Sequence, residues 1–211
     1  MSVLNGLYLV ITPKQSESEL LEKLRKALQN GLGAVQLYND WPRAFAHTDK
    51  LQLIQKIHAV CREFNTPFLL NNEWELLKDV RVEGVHFDTL PDGWPQQKKA
   101  LGFSMITGLT LTNDLSVLGD LDTLEVDYLS FCAMFPSSSV ASCEIVDPKN
   151  VAITLEKVNL PVFISGGVTP ENIAVFKSMP ISGVAVISGI MNSSAPDEAV
   201  TAYKNALNQF T

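Results

Sequence analysis

Cysteine is scarce: Cys61, Cys132 and Cys143 are the only three in 211 residues. Their odd number and the lack of any CxxC or zinc-like spacing argue against a disulfide framework and a structural metal site. No apolar stretch approaches the ~18–20 residues that span a bilayer. The run Leu7–Ile11 has neither a basic leader nor the length of a signal peptide, so a cytoplasmic location is expected. Positive charge is also in short supply. Sixteen Lys and Arg face 23 Asp and Glu, a net charge of −7, and no basic run exceeds Lys98-Lys99. Nucleic acid and anionic membrane are therefore disfavoured as partners, and small molecules are favoured. Linkers, low-complexity stretches and charge blocks are absent. The first β-like run ends in Thr12-Pro13-Lys14-Gln15, which has no glycine, so the phosphate loop of a doubly wound dinucleotide fold is missing.

What is present is apolar content, 46% of the chain against 18% charged residues, enough for one sizeable core over residues 1–211. Short β-rich runs return between amphipathic stretches. Candidate strands are Leu7–Ile11, Ala34–Tyr38, Pro67–Asn71, Gly84–Phe87, Leu101–Met105, Val126–Phe131, Pro161–Ser165 and Gly183–Ser188. Helices are expected at 17–29, 44–64, 73–80, 92–99, 113–120, 148–157, 170–178 and 196–209, several opened by caps such as Asp147-Pro148. Eight runs, apolar on both faces as buried parallel strands must be, predict an α/β fold: a single-domain (β/α)₈ TIM barrel.

A barrel of this kind carries its site at the C-terminal strand ends. After the seventh run, Ser165-Gly166-Gly167-Val168-Thr169-Pro170 lets backbone N–H groups approach an anion. After the eighth, Ile187-Ser188-Gly189 adds a hydroxyl and further donors. Gly166, Gly167, Ile187 and Ser188 are thus the phosphate-binding candidates, with a simple tight turn as the alternative role of the glycines. Gln36 shares a strand face with Tyr38 and is either a ligand contact or a satisfied core amide. Asn71 and Asn72 end the third run, where one of them suits a helix cap. His86 shares a face with Asp88 as an oriented base or as a hydrogen-bonded barrel residue. His47 and His58 fall on a helix away from the mouth. Asp40, Asp88 and Asp92 are candidate Mg²⁺ carboxylates. The long segment 133–147, with Ser137, Ser138 and Ser139, is a candidate cover for the site.

Taken together, the strand ends resemble the thiamin-phosphate synthase family, including its TenI branch, over nearly the whole chain. The resemblance is carried by Ala34-Val35-Gln36-Leu37, Phe68-Leu69-Leu70-Asn71, Glu83-Gly84-Val85-His86, Leu101-Gly102-Phe103-Ser104, and Val126-Asp127-Tyr128-Leu129 followed by Met134-Phe135-Pro136. It continues through 161–173 and Gly183-Val184-Ala185-Val186-Ile187-Ser188. It implies a site in which Gln36, Asn71, Ser104 and His86 form the catalytic set. Ser137, Ser138 and Ser139 would form the pyrophosphate loop, and Asn72, Asp88 and Asp92 would stand at or near metal positions. The reaction implied joins a hydroxymethylpyrimidine pyrophosphate to a thiazole phosphate with Mg²⁺, releasing pyrophosphate.

The sequence departs from that family pattern where charge is needed. Tyr38 and Asp40 replace an Arg and a Lys; Asn72 replaces a metal-binding Asp. Asp88-Thr89-Leu90-Pro91 stands in place of Gly-Gln-x-Asp, with Asp92 one position late, and Ser137-Ser138-Ser139-Val140 replaces Thr-Pro-Thr-Lys. The TenI tautomerase histidine is also missing, since the sixth strand ends in Cys132-Ala133-Met134-Phe135. Three readings follow from the resemblance: a divergent synthase, a silent binder or regulator of thiazole phosphate or thiamin monophosphate, and an isomerase-like relative using His86 with Asp88. Self-association stays open.

Overall fold

The structure is a computed structural model that describes residues 4–137 and 144–209. Eight parallel strands close into one barrel in sequence order. They are β1 (Gly6–Ile11), β2 (Ala34–Leu37), β3 (Phe68–Asn71), β4 (Gly84–Phe87), β5 (Ile106–Leu111), β6 (Tyr128–Phe131), β7 (Val162–Ser165) and β8 (Gly183–Val186). Closure is direct, because β1 pairs with both β2 and β8. Around it lie α1 (Glu17–Leu28), α2 (His47–Glu63), α3 (Trp94–Leu101), α4 (Leu121–Leu124), α5 (Pro148–Lys157), α6 (Ser188–Met191) and α7 (Pro196–Asn208). None of the described helices is long and apolar enough to cross a membrane.

Local sequence explains the helix ends. Ser16 accepts the Glu19 N–H and begins α1, with Glu17 and Glu19 in its first turn and Arg25 and Lys26 in its last, which complements the helix dipole. Asp147 caps α5 ahead of Pro148. Three of the expected helices shrink to 3₁₀ turns at Trp74–Lys78, Ser116–Gly119 and Ile173–Phe176. The short α6 was not anticipated.

The fifth strand requires a correction. Leu101–Met105 is apolar enough to pass for a strand, yet Leu101 ends α3 and Gly102 caps it with φ 74°, its N–H donating to the Lys99 carbonyl. The strand begins only at Ile106.

Strand alternation divides the core in two. Side chains pointing outward, including Leu9, Val35, Phe68, Val85, Leu129, Ile164 and Val184, pack against the helices. Those pointing inward, among them Tyr8, Val10, Leu69, Ile106, Tyr128, Phe163 and Ala185, form a separate cluster inside the barrel. This parity carries Gln36, Asn71 and His86 inward, where they are 6%, 1% and 5% exposed, and a buried polar group must find partners there.

Candidate functional site

A cavity of about 170 Å³ opens at the C-terminal ends of the strands. Gln36, His86, Asp88, Ser137, Gly166, Gly167, Ile187 and Ser188 all line it. Ser138 and Ser139 lie outside the described residues. Ser104 does not join the others: it is exposed in the turn that leads into β5, at the opposite end of the barrel from the mouth. The misplaced strand is the reason. The β5 residue that does reach the cavity is Thr110.

The floor of the cavity is a buried polar chain. The Tyr8 hydroxyl donates to Gln36 Oε1 at 2.9 Å and lies 2.8 Å from the Tyr128 hydroxyl. Tyr128 lies 2.8 Å from His86 Nδ1, and His86 Nε2 lies 2.8 Å from Thr110 Oγ1. Burial pushes the His86 pKa down to about 4, against the opposing pull of the Asp88 charge, so the ring is neutral at pH 7. Burial likewise raises both tyrosine hydroxyls. Tyr8, Tyr128 and Thr110 were not singled out by sequence. The available signal was strand parity, which puts both tyrosines inside the barrel.

His86 and Asp88 do not pair. Both ring nitrogens of His86 are engaged by hydroxyls. Asp88 instead accepts from Asn72 Nδ2 at 2.8 Å and from Asn71 Nδ2 at 3.4 Å, and its own N–H donates to Asn72 Oδ1 at 2.9 Å. Asn72 adopts φ 58°, a left-handed conformation that asparagine tolerates better than most side chains. The oriented base is thus replaced by a hydrogen-bonded barrel histidine, and the asparagines bind a carboxylate rather than capping a helix.

This arrangement fits Mg²⁺ poorly. Asp88 is a single carboxylate whose oxygens face amide N–H groups, and Asp92 is exposed, its backbone carbonyl accepting from Gln97. Magnesium favours carboxylate and water oxygens free to turn toward it. Among the described residues no group of three His, Cys, Asp or Glu side chains gathers to hold a metal.

The side formed by β7 and β8 is different in kind. Gly166 and Gly167 have φ of 80° and 67°. Added Cβ atoms would come within 2.7 Å of Ala133 and 2.8 Å of Phe135 and the Pro136 carbonyl oxygen. The loop after β6 therefore lies directly on the glycine turn, tied by Met134 N–H to the Ser165 carbonyl at 2.8 Å and Phe135 N–H to the Gly166 carbonyl at 2.9 Å. Asn172 braces the turn from behind, accepting the Thr169 N–H and donating to the Gly167 carbonyl, both at 2.8 Å. Tyr203 of α7 donates to the Val168 carbonyl at 2.9 Å. The N–H groups of Gly167, Ser188 and Gly189 donate no hydrogen bond among the described residues. Three unengaged N–H groups beside one cavity suit an anion.

Positive charge does not reach the cavity wall, whose described lining holds no Lys or Arg. Lys14, just past β1, forms an ion pair with Asp40, just past β2. A cation near the mouth is thus already neutralised.

Comparison with known proteins agrees with this geometry. A family described as thiamine monophosphate synthase matches residues 7–190. A thiamine-phosphate synthase of Prochlorococcus marinus subsp. pastoris is 27% identical over 95% of this chain and 55% of its own length. A thiamine biosynthesis bifunctional protein of Geobacter sulfurreducens is 30% identical over 98% of this chain and 40% of its own. The chain thus spans about half the length, or less, of these two relatives. A thiamine-phosphate synthase of Nitrosococcus oceani is 28% identical, covering 96% of this chain and 93% of that relative. Among solved structures, a thiamine phosphate pyrophosphorylase from Pyrococcus furiosus superposes with a TM-score of 0.79 at 20% identity, covering 97% of this chain and 96% of the other.

Proposed function

The chain belongs to the thiamine monophosphate synthase family of thiamine biosynthesis, and we propose that its barrel mouth binds the monophosphate end of a thiazole-phosphate or thiamin-monophosphate ligand, with the pyrophosphate-releasing condensation slow or lost. The observation that carries this reading is the asymmetry of the cavity. Toward β7 and β8, the N–H groups of Gly167, Ser188 and Gly189, unengaged among the described residues, offer a cradle for a monophosphate. Toward β2 and β4, the wall offers the Gln36 amide, a histidine held neutral and the carboxylate of Asp88.

Binding a monophosphate and expelling pyrophosphate make different demands. The first is met by several N–H donors. The second develops charge on a leaving group, and catalysis depends on fixed positive charge aimed at it. With each charge-assisted contact worth roughly 1.5–3 kcal/mol, loss of three cationic contacts removes several kcal/mol, or at least about 10³-fold in rate. Asp40 stands where a lysine would help, and it also neutralises Lys14.

Two measurements on the purified chain test this. Calorimetry should show saturable binding of thiamin monophosphate that inorganic phosphate competes away. A coupled assay with hydroxymethylpyrimidine pyrophosphate, thiazole phosphate and Mg²⁺ should show turnover at least about 10³-fold below that of a relative carrying the full cationic set. Failure to bind would remove the ligand assignment. Turnover like that relative's would make the protein a working synthase.

A further inference from the structure

The protons of the polar chain under the cavity can be counted. Tyr8 gives its one hydroxyl proton to Gln36 Oε1. In its 2.8 Å contact with Tyr128 it must therefore accept, and Tyr128 donates. That uses the single proton of Tyr128, so the 2.8 Å contact with His86 requires a proton on Nδ1. A neutral imidazole carries only one proton, and burial keeps His86 neutral. Nε2 is then an acceptor, and Thr110 donates to it at 2.8 Å. Every proton points the same way, from Thr110 through His86, Tyr128 and Tyr8 to Gln36.

Packing holds the members in place. Tyr8 and Tyr128 are 1% and 0% exposed, which keeps bulk water out of the middle of the chain. The Tyr128 ring stacks on His86 with centroids 5.5 Å apart, and Phe163 meets both tyrosines edge-on at 5.6 and 5.7 Å. Gly108 provides the room: a Cβ there would sit 2.2 Å from Tyr128 Cζ. Neither ring can swing aside to break the sequence of donors.

The consequence falls on Gln36, which lines the cavity. With Oε1 held by Tyr8, its free hydrogen-bonding end is the NH₂ group. We infer that Thr110, His86, Tyr128 and Tyr8 are positioning residues that set the polarity of the Gln36 amide, making it a hydrogen-bond donor toward the ligand. The ligand must then present an acceptor at this point, an unprotonated ring nitrogen or a phosphoryl oxygen. The identity of that ligand rests on the reading proposed above, whereas the polarity does not.

An opposite polarity would satisfy the same contacts: the amide flipped, Tyr8 donating to Tyr128, Tyr128 to Nδ1, and Nε2–H to Thr110. The two senses differ by the position of one proton on His86, which is what makes the inference testable. The chain contains only three histidines, so ¹⁵N spectra of histidine-labelled full-length protein are simple, and His86→Gln identifies the resonance. The expected result in ligand-free protein is protonated Nδ1 and unprotonated Nε2. Tyr128→Phe keeps the ring but removes the link, and Thr110→Val removes the first donor. Each should replace the single tautomer by a mixture and weaken thiamin monophosphate binding by about tenfold, while Thr110→Ser restores both. An Nε2-protonated ring in the unaltered protein overturns the inference. So does a single Nδ1–H tautomer that survives both Tyr128→Phe and Thr110→Val. If the unaltered protein does not bind thiamin monophosphate, the ligand assignment fails and the tautomer alone decides the polarity.

Discussion

Gly167 and Phe135 approach so closely that a Cβ on Gly167 would lie 2.8 Å from both the Phe135 Cβ and its carbonyl oxygen. The glycine turn after β7 and the loop after β6 are one packed unit, and Gly167 is also held at φ 67°. Gly167→Ala should therefore cost stability, roughly 1–3 kcal/mol from the left-handed backbone and the contact together. A fall in the urea midpoint at unchanged slope would show this. A stable Gly167→Ala protein would mean that the loop after β6 yields easily. A bulky change such as Gly167→Val would disturb this packed unit as well as the cradle and is thus unsuited to testing phosphate binding.

Asp40→Asn should release Lys14. Their ion pair is largely exposed, with side-chain accessibilities of 43% and 64%, so little stability depends on it. An unpaired ammonium near the mouth should attract polyanions more strongly. Pyrophosphate affinity by calorimetry is expected to rise several-fold at low salt, with the thermal midpoint nearly unchanged. An affinity that stays flat would place Lys14 beyond reach of the cavity.

His86 makes stability depend on acidity. Its folded pKa, lowered by burial to about 4, lies below the unfolded value near 6.5. Between these values the unfolded chain binds a proton that the folded chain refuses, so stability is full above about pH 6.5 and declines toward pH 4. The loss approaches about 3 kcal/mol at about 1.4 kcal/mol per pH unit. Urea titrations at pH 7.5, 5.5 and 4.5 should show the decline, and His86→Gln should flatten it. An equal slope in that variant would assign the effect to carboxylates elsewhere.

Thiamin monophosphate affinity should not depend on Mg²⁺. Asp88 is held by Asn71 and Asn72, and the cradle proposed for the phosphate consists of backbone N–H groups. Calorimetry with excess EDTA and with millimolar Mg²⁺ should agree within error. A large gain with Mg²⁺ that Asp88→Asn abolishes would show that the amides give way to a metal.

Much of the fold was legible because it depends on local periodicity. Runs such as Ala34-Val35-Gln36-Leu37 and Phe68-Leu69-Leu70-Asn71 are apolar on both faces, and that pattern belongs to a buried parallel strand. Strand parity also placed Gln36 on one face with Tyr38 and His86 on one face with Asp88. The fifth strand was misread because Leu101–Met105 looks equally apolar, and the helix-ending role of Gly102 depends on φ 74°, which composition does not reveal. The family match at Leu101-Gly102-Phe103-Ser104 was set on that same misplaced strand, so the resemblance brought Ser104 into the candidate site and Thr110 went unnoticed.

The sequence by itself determined the barrel, the family and the glycine-containing turns after β7 and β8. Only the tertiary structure decided how the polar side chains are used. Tyr8 and Tyr128 are 120 positions apart and meet at 2.8 Å because the strands close into a ring. That closure takes His86 from Asp88 and gives it to Tyr128 and Thr110. In a buried interior each polar atom must find a partner, and which partner is within reach is set by neighbours around the barrel rather than along the chain.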